Sequence, residues 1–214
     1  MLKGIDVSGW QENSIVSQMS PEFIMIKASE GVNYKSDGLD RLYNTYIAWC
    51  KSKNITPLYG FYHYARPETG NSAAAEVDSF LSYVGHHIGK SRFALDWEGD
   101  ALKVGEKWAY DFLDILKKKI NARPLLYVSA SVARNFSLDF KSICDLWVAH
   151  WGASKPNFGH KWPTWALWQY SDKPCDLDYF YGEASDWLGK SSTSLNVDWE
   201  ITSQSDTKIV LEKK

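Results

Sequence analysis

Short apolar runs alternate with amphipathic segments along most of this chain. The runs have the length and the bounding turn residues of buried strands. They predict strands over residues 2–7, 23–28, 58–64, 93–97, 125–129, 146–150 and 166–170. Between them, apolar residues recur every three or four positions, which is the periodicity of an amphipathic helix. This periodicity predicts helices within residues 39–50, 77–84, 108–120 and 131–136. No helical pattern follows Trp151.

The alternation of strands and helices predicts an α/β fold with a parallel sheet. About eight strands without a nucleotide-binding glycine motif favour closure of that sheet into a barrel. Such barrels typically take about 250 residues, whereas this chain has 214. We therefore predict an irregular, compact (β/α) TIM-like barrel over residues 1–185, with reduced helices in its C-terminal half.

The pattern changes near Ser185. Residues 189–194 are rich in glycine and serine, as linkers are. Two alternating apolar segments follow, separated by the polar residues 203–206, and they predict a β-hairpin. We assign residues 186–214 to a linker and this C-terminal β-hairpin. Because an isolated hairpin is marginally stable in water, we expect its apolar face to be covered. That face consists of Leu195, Val197, Trp199 and Ile201.

The composition narrows the classes of function. The chain has 24 basic and 26 acidic residues and no basic block, so we expect no nucleic-acid partner. Its three cysteines are far apart and its histidines lack helical spacing, so we predict neither a disulfide framework nor a metal site. We also expect no cofactor, no membrane span and no signal peptide. The abundant aromatic residues, 11 Trp and 12 Tyr, suit sugar rings and wet clefts.

Two carboxylates, Asp96 and Glu98, follow the fourth predicted strand. Residues two apart on a strand point to the same face, so both carboxylates leave the strand together while Trp97 faces away. Like charges at this spacing raise one pKa and leave a neutral acid beside an anion. Cleavage of a glycosidic bond requires this division of roles. The spacing alone fits equally well a solvated Asp and Glu at a strand end.

Further polar and aromatic residues fall at predicted strand ends, where barrel enzymes build their active sites. They are Asp6, Tyr62, His63, Trp168, Gln169 and Asp176. Each one alone also fits a turn cap or a core residue. A second Asp-Trp-Glu tripeptide, residues 198–200, lies in the predicted hairpin without a buried strand before it. We interpret this second copy as unrelated to the site.

Seven segments in order resemble the Chalaropsis-type lysozymes, glycoside hydrolase family twenty-five. They are Gly4-Ile5-Asp6-Val7-Ser8-Gly9-Trp10-Gln11, Ile24-Met25-Ile26-Lys27-Ala28-Ser29-Glu30-Gly31, Gly60-Phe61-Tyr62-His63-Tyr64, Ala94-Leu95-Asp96-Trp97-Glu98, Leu146-Trp147-Val148-Ala149, Trp168-Gln169-Tyr170-Ser171 and Asp176-Leu177-Asp178-Tyr179-Phe180. The resemblance implies a muramidase that cuts the β-1,4 bond between N-acetylmuramic acid and N-acetylglucosamine in bacterial peptidoglycan. It also implies an irregular, partly collapsed α/β barrel.

The resemblance also implies roles for individual residues. Glu98 corresponds to the general acid. Asp96 corresponds to the anion that acts as nucleophile or stabilises an intermediate formed by the substrate's acetamido group. Asp6 and Asp176 belong to the same acidic floor. The implied substrate-binding residues are Tyr62, Trp10, Trp147, Trp168, Gln169 and His63. The chain departs from the family at Asp178, where Asn is common, and at His150.

Two other functions remain open at this stage. A chitinase-like glycosidase also carries Asp-x-Glu at a strand end, and a catalytically inactive relative could bind cell walls without cutting them. The resemblance and the expected lack of a signal peptide favour a phage or prophage endolysin, with non-classical export as the alternative. The sequence leaves open the target bacterium, the stereochemical course and the oligomeric state, in which the hairpin could take part.

Overall fold

A computed structural model describes residues 1–189, 199–205 and 208–213, the last two ranges as backbone only. The strands are β1 (Leu2–Val7), β2 (Phe23–Glu30), β3 (Tyr34–Lys35), β4 (Tyr59–Tyr64), β5 (Arg92–Asp96), β6 (Leu125–Ser129), β7 (Asp145–Ala149), β8 (Leu167–Ser171), β9 (Asp176–Phe180), β10 (Trp199–Ser205) and β11 (Lys208–Lys213). The α-helices are α1 (Ser14–Met19), α2 (Leu39–Lys53), α3 (Ala73–Val84), α4 (Glu106–Ile120) and α5 (Ala130–Asn135).

Eight of the described strands close into a barrel. They follow the order β1-β2-β4-β5-β6-β7-β8-β9, and β9 pairs back with β1. The strands from β1 to β8 pair in parallel, whereas β9 is antiparallel to both of its neighbours. The short β3 adds to one end of β2, outside the barrel. The predicted TIM-like barrel is therefore confirmed, with one reversed strand.

All seven predicted strands are present, with bounds that differ by at most two residues. The four predicted helices correspond to α2, α3, α4 and α5. Between residues 136 and 189 the only helical elements are short 3₁₀ turns. Reduced helices in the C-terminal half are thus confirmed. The sequence patterns did not predict α1, β3 or β9. Among the described helices, none is both long and apolar enough to cross a membrane.

Side chains alternate between two apolar clusters, one outside the barrel and one inside it. The outer faces of the strands pack beneath the helices in a large cluster. The inner cluster contains Phe23, Met25, Tyr62, Ala94, Leu125, Tyr127, Trp147, Leu167, Phe180 and Trp187. Two glycines make room for it. A Cβ at Gly4 would lie 2.5 Å from the Phe23 ring, and a Cβ at Gly60 would lie 2.4 Å from Met25 Sδ.

Trp187 closes the end of the barrel where the parallel strands begin. Its indole Nε1 donates a hydrogen bond to the Tyr59 carbonyl at 2.9 Å. Its ring lies 4.9 Å from the Phe23 ring and 5.2 Å from the Phe180 ring. The buried Arg92 guanidinium stands 5.6 Å from the indole and donates to the Trp187 carbonyl. The inner core therefore draws on a residue beyond the last barrel strand.

Replacing Trp187 with alanine is expected to destabilise the fold by about 3 to 5 kcal/mol, since it removes a buried aromatic side chain and leaves a cavity. For a domain of this size that corresponds to a fall in the melting temperature of roughly 6 to 20 °C. Thermal unfolding followed by circular dichroism measures the shift. The neighbouring Leu188 is half exposed, and its replacement by alanine is the matched control. Equal shifts for the two variants would contradict the role assigned to Trp187.

The C-terminal segment contains the predicted hairpin. Strands β10 and β11 pair antiparallel, with Trp199 opposite Lys213 and Ile201 opposite Leu211. Residues 190–198, which include Leu195, Val197 and Asp198 of the predicted hairpin, lie outside the described residues, as do the side chains of β10 and β11. The covered apolar face, the assembly role and the interpretation of the second Asp-Trp-Glu therefore stay predictions.

Candidate active site

A cavity of about 290 Å³ opens where the parallel strands end. It is lined by Asp6, Ser8, Lys27, Tyr62, Tyr64, Asp96, Glu98, Tyr127, Trp147, Trp151, Gln169 and Asp176. The register of the strands explains why these side chains lie at the same end of the barrel. Tyr64 lies opposite Asp96, and Asp96 lies opposite Tyr127. Because β9 is antiparallel, its first residue, Asp176, reaches this same rim and pairs with Asp6 at the end of β1.

Another cavity, of about 710 Å³, lies beside α4 and α5 and has different chemistry. Its one carboxylate, on Glu106, accepts hydrogen bonds from the backbone N–H groups of Ser137 and Leu138. That carboxylate therefore binds the backbone of the loop that contains Ser137 and Leu138. Of these two cavities, the smaller one, with four carboxylates, has the side chains needed for acid–base chemistry.

Asp96 and Glu98 stand at different depths in this cavity. Asp96 is buried, and its Oδ1 has no hydrogen-bond partner among the described residues. Burial first, and then the charge of Glu98, raise the pKa of Asp96 well above its ordinary value. Glu98 is exposed at the mouth, and its pKa is raised by partial desolvation and then by Asp176. Two carboxyls whose pKa values are both raised favour a protonated acid beside an ionised one.

The raised pKa of Asp96 differs from the sequence-based expectation for this residue. The sequence assigned the raised pKa to Glu98 and a simple anionic state to Asp96. In the structure Asp96 is the deeper of the two carboxyls, so burial disfavours its charge more strongly. An anionic Asp96 therefore needs a nearby positive charge.

Lys27 supplies a positive charge beside the acids. Its Nζ lies 2.7 Å from Glu30 Oε2 and 4.5 Å from the centre of the Tyr64 ring. The ammonium lowers the pKa of both Asp96 and Glu98. It is the one basic side chain among the described residues that line the cavity. Lys27 was not among the site residues predicted from the sequence, although a lysine directly after four apolar strand residues was an available signal.

Replacing Lys27 with methionine is expected to move the pH profile of hydrolysis to higher pH. Without the ammonium, ionisation of Asp96 and Glu98 becomes less favourable, so both pKa values rise and both limbs of the profile shift upward. Measurement of kcat/KM across pH tests this. Lys35→Met, which removes a surface lysine paired with Asp40, is the control. Unshifted limbs in Lys27→Met would exclude the electrostatic role.

Asp6 and Asp176 complete the acidic lining. Asp6 is buried, and Gln169 Nε2 donates to its Oδ2 at 2.7 Å. Burial, followed by Asp178 and Asp176, raises the pKa of Asp6 well above its ordinary value. Asp176 is half-buried, and its pKa is raised mainly by burial. Among the described residues, no three His, Cys, Asp or Glu side chains are arranged to hold a metal ion.

Gln169 organises the aromatic wall of the cavity. Its Oε1 accepts hydrogen bonds from the Tyr127 hydroxyl at 3.0 Å and from Trp151 Nε1 at 2.8 Å. Trp151 is 53 % exposed and offers an open ring face at the cavity. The predicted site residues did not include Trp151, Tyr127, Tyr64 or Ser8. Their positions at or just beyond strand ends were the available signal.

Trp147 lines the floor of the cavity but is only 1 % exposed. The Tyr62 and Tyr127 rings pack edge-on against it, with centroids 6.0 and 4.9 Å away. Its Nε1 donates to Asp178 Oδ1 at 2.8 Å. Trp147 therefore supports the floor, and its burial does not fit the expected role of binding substrate directly. Tyr62 lines the cavity beside it, as expected.

His63 and Trp168 do not line the cavity, contrary to expectation. His63 is buried outside the barrel, with its ring nitrogens 2.8 Å from Ser29 Oγ and 2.8 Å from Glu76 Oε2. Trp168 packs in the outer cluster, and its Nε1 donates to the His150 carbonyl. The physical reason is strand alternation, since the neighbours Tyr62 and Gln169 already take the inner face.

Trp10 lies outside the cavity lining as well. It is 92 % exposed on the loop after β1. Arg41 holds that loop by donating to the carbonyl groups of Gly9 and Gln11, each at 2.7 Å. A subsite role for Trp10 stays a prediction, because its ring is open to solvent and beyond the cavity.

Comparison with known proteins gives a consistent result. The model of the family Glycosyl hydrolases family 25 matches residues 5–178. Lysozyme M1 of Streptomyces globisporus is 33 % identical over 189 residues, which cover 79 % of this chain and 62 % of that protein. The chain thus spans less than two thirds of the length of that relative.

Solved structures agree with the sequence match. The bacterial lysozyme from Streptomyces coelicolor superposes with a TM-score of 0.72 at 30 % identity, covering 87 % of this chain and 95 % of that one. The muramidase from Acremonium alcalophilum gives a TM-score of 0.70 at 26 % identity, covering 88 % and 97 %. The family match spans most of the barrel and all four acidic residues of the cavity, and the chain belongs to glycosyl hydrolase family 25.

Proposed function

We propose that this protein is a lysozyme, an N-acetylmuramidase that hydrolyses the β-1,4 bond between N-acetylmuramic acid and N-acetylglucosamine in bacterial peptidoglycan. The observation that carries the proposal is that the carboxyls of Asp96 and Glu98, both with raised pKa values, line one cavity at the rim of the barrel, one at its floor and one at its mouth. Membership of a glycoside hydrolase family and relatives that are named lysozyme and muramidase support it.

In the proposed mechanism Glu98 is the general acid. Its position at the mouth lets it reach the glycosidic oxygen of a bound chain, and its raised pKa favours the protonated form that a general acid needs. As the bond between the anomeric carbon and this oxygen breaks, the proton of Glu98 moves to the oxygen of the departing sugar. The resulting Glu98 carboxylate then removes a proton from the water that completes hydrolysis.

Asp96 acts beneath the anomeric carbon as the anion. It stabilises the positive charge that develops there, either by bonding to the carbon or by supporting attack of the substrate's own acetamido oxygen. The ammonium of Lys27 favours its ionised form. Asp176 raises the pKa of Glu98 and so helps to keep the acid protonated. Asp6 and Tyr62 line the cavity where the reacting sugar binds.

Purified peptidoglycan and chitin, supplied in parallel, test the proposed function. A muramidase clears the wall suspension and releases chains with N-acetylmuramic acid at the new reducing end, which borohydride reduction converts to muramicitol. A chitinase-like enzyme would cut chitin as fast or faster. New N-acetylglucosamine reducing ends would identify a different bond. An inactive wall-binding protein would sediment with walls and release no reducing ends.

The proposed site of action is the bacterial wall, because the substrate lies there. The route to it, as a phage endolysin or by non-classical export, stays a prediction from the sequence. Clearing rates on walls from several bacteria would identify the preferred target.

A further inference from the structure

Lys27 and Glu30 form an ion pair at the edge of the cavity. Lys27 Nζ donates to Glu30 Oε2 at 2.7 Å, and among the described residues it forms no other ion pair. Residues three apart on a regular strand point to opposite faces, so these two side chains should not meet. The pairing of β2 with β4 shifts register between Lys27 and Ser29, however. An irregularity of this kind redirects side chains and accounts for the contact.

Glu30 is held on its other side by Arg66. Arg66 Nη1 donates to Glu30 Oε1, and the Arg66 backbone N–H donates to the buried carboxylate of Glu76 at 3.1 Å. Glu76 also accepts from Asn71 Nδ2 at 3.1 Å. Partial burial disfavours ionisation of Glu30, but the hydrogen bonds from Lys27 and Arg66 outweigh it and lower the pKa of Glu30. Glu30 is therefore an anion at neutral pH, with both oxygens bound.

The two acids of the cavity have no such contact with Lys27. Lys27, Asp96 and Glu98 line the same cavity, but Glu30 does not. Among the described residues neither acid forms an ion pair with the ammonium, and Asp96 Oδ1 has no hydrogen-bond partner at all. A buried carboxylate oxygen without a donor is unfavourable. Lys27 could supply that donor only by leaving Glu30.

The other titratable groups near Lys27 and the two acids carry either negative charge or no charge, apart from Arg66. Burial raises the pKa values of the tyrosines and lowers the pKa of His63, so these groups stay neutral. The surrounding groups are Asp6 of β1, Glu30 of β2, Tyr62, His63 and Tyr64 of β4, Arg66 and Glu68 after β4, Tyr127 of β6 and Asp176 of β9. The position of the Lys27 ammonium therefore decides how much positive charge the two acids experience.

We propose that Glu30 is a positioning residue that binds the ammonium of Lys27 and keeps it from forming an ion pair with Asp96 or Glu98. Held in this way, Lys27 favours the ionised form of Asp96 through space. Glu98 is left without a bound cation, which favours its protonated form, and Asp96 Oδ1 stays open to the reacting sugar. The roles of the two acids rest on the proposed function, whereas the contact between Glu30 and Lys27 does not.

Glu30→Gln in the substrate-free protein provides the first test. Glutamine has nearly the same shape but no charge, so Lys27 loses its ion-pair partner and its ammonium turns to Asp96 and Glu98. The pKa values of both acids are expected to fall, that of Glu98 by about 1 unit, the lower end of the effect of an adjacent opposite charge. Carbon-13 NMR titration of the carboxyl signals measures the change. Loss of single signals in Glu98→Gln and Asp96→Asn assigns them.

The same substitution in Lys27→Met protein separates the position of the ammonium from the charge of Glu30. Loss of the Glu30 charge lowers neighbouring pKa values through space even without Lys27. If Glu30 acts through Lys27, the two effects are not additive, and the fall in the pKa of Glu98 should be no more than half of that in the wild-type background. A fall of more than half, or no fall in the wild-type background, would overturn the positioning role.

Glu22→Gln is the control for the loss of one negative charge. Glu22 is exposed and lies just before β2, at the end of that strand away from the cavity. The pKa values of Asp96 and Glu98 should be unchanged in this variant. A fall equal to that in Glu30→Gln would show a general effect of net charge and would also overturn the positioning role.

The pH profile of kcat/KM on peptidoglycan provides the second test. Both limbs are expected to move to lower pH in Glu30→Gln, opposite to their movement in Lys27→Met. A displacement of about 1 pH unit lowers the rate on the alkaline side by about tenfold and spares the acid side. An unmoved profile together with the expected fall in the pKa of Glu98 would support the positioning role and contradict Glu98 as the general acid. The two proposals can therefore fail separately.

Discussion

Glu98→Gln is expected to lower wall hydrolysis by about 10²- to 10⁴-fold, the usual contribution of a general acid. Glutamine has nearly the same shape but no proton to give to the departing oxygen. The substitution should spare the fold, since Glu98 stands exposed at the cavity mouth. Its folded-state pKa is raised, so the ionised carboxylate costs stability as pH rises. At pH 7 the melting temperature of the variant should equal or exceed that of the wild type.

The second Asp-Trp-Glu tripeptide of the chain offers a matched control. Glu200→Gln makes the same chemical change at the glutamate of residues 198–200, and it should leave the rate of wall clearing unchanged. Retention of more than a tenth of wild-type activity by Glu98→Gln would exclude Glu98 as the acid. A loss in Glu200→Gln comparable to the one expected at Glu98, with an unchanged melting temperature, would move the site to the second copy.

The sequence predicted the barrel because its strands carry apolar residues on both faces over most of their length. It did not predict β9 as a strand for a reason that concerns function. The inner face of β9 carries Asp176 and Asp178, so charges occupy positions that an apolar strand pattern requires. Lys27 likewise interrupts the apolar run of β2, and it was not predicted as a site residue although its strand was predicted. The charged residues that build the site are the ones that interrupt the pattern.

Strand alternation was applied to the pair Asp96 and Glu98 but not to the other strand ends. Applied throughout, it would have separated Tyr62 from His63 and Gln169 from Trp168, since neighbours on a strand face opposite sides. Depth is different. That Trp147 is covered and that Asp96 lies deeper than Glu98 depends on which side chains from other strands fill the barrel. A single sequence does not encode those partners locally.

Asp96→Asn is expected to reduce hydrolysis by about 10²- to 10³-fold, the scale of losing one preorganised electrostatic contact to a developing charge. The amide keeps the size of the side chain but carries no negative charge towards the anomeric carbon. Because burial raises the pKa of Asp96, its ionised form costs stability above the unfolded-state value. The variant should therefore melt at the same temperature as the wild type, or higher, at pH 7.

Substrates with different leaving groups distinguish the role of Asp96 from that of Glu98. Asp96 acts at the anomeric carbon, so the loss in Asp96→Asn should be similar for peptidoglycan and for an aryl glycoside whose phenolate departs without protonation. Glu98 acts on departure, so the same aryl glycoside should restore much of the activity of Glu98→Gln. Rates of both variants on both substrates measure this. If the aryl glycoside rescued Asp96→Asn as well as Glu98→Gln, Asp96 would be assisting proton transfer, and its assignment to the anomeric carbon would be wrong.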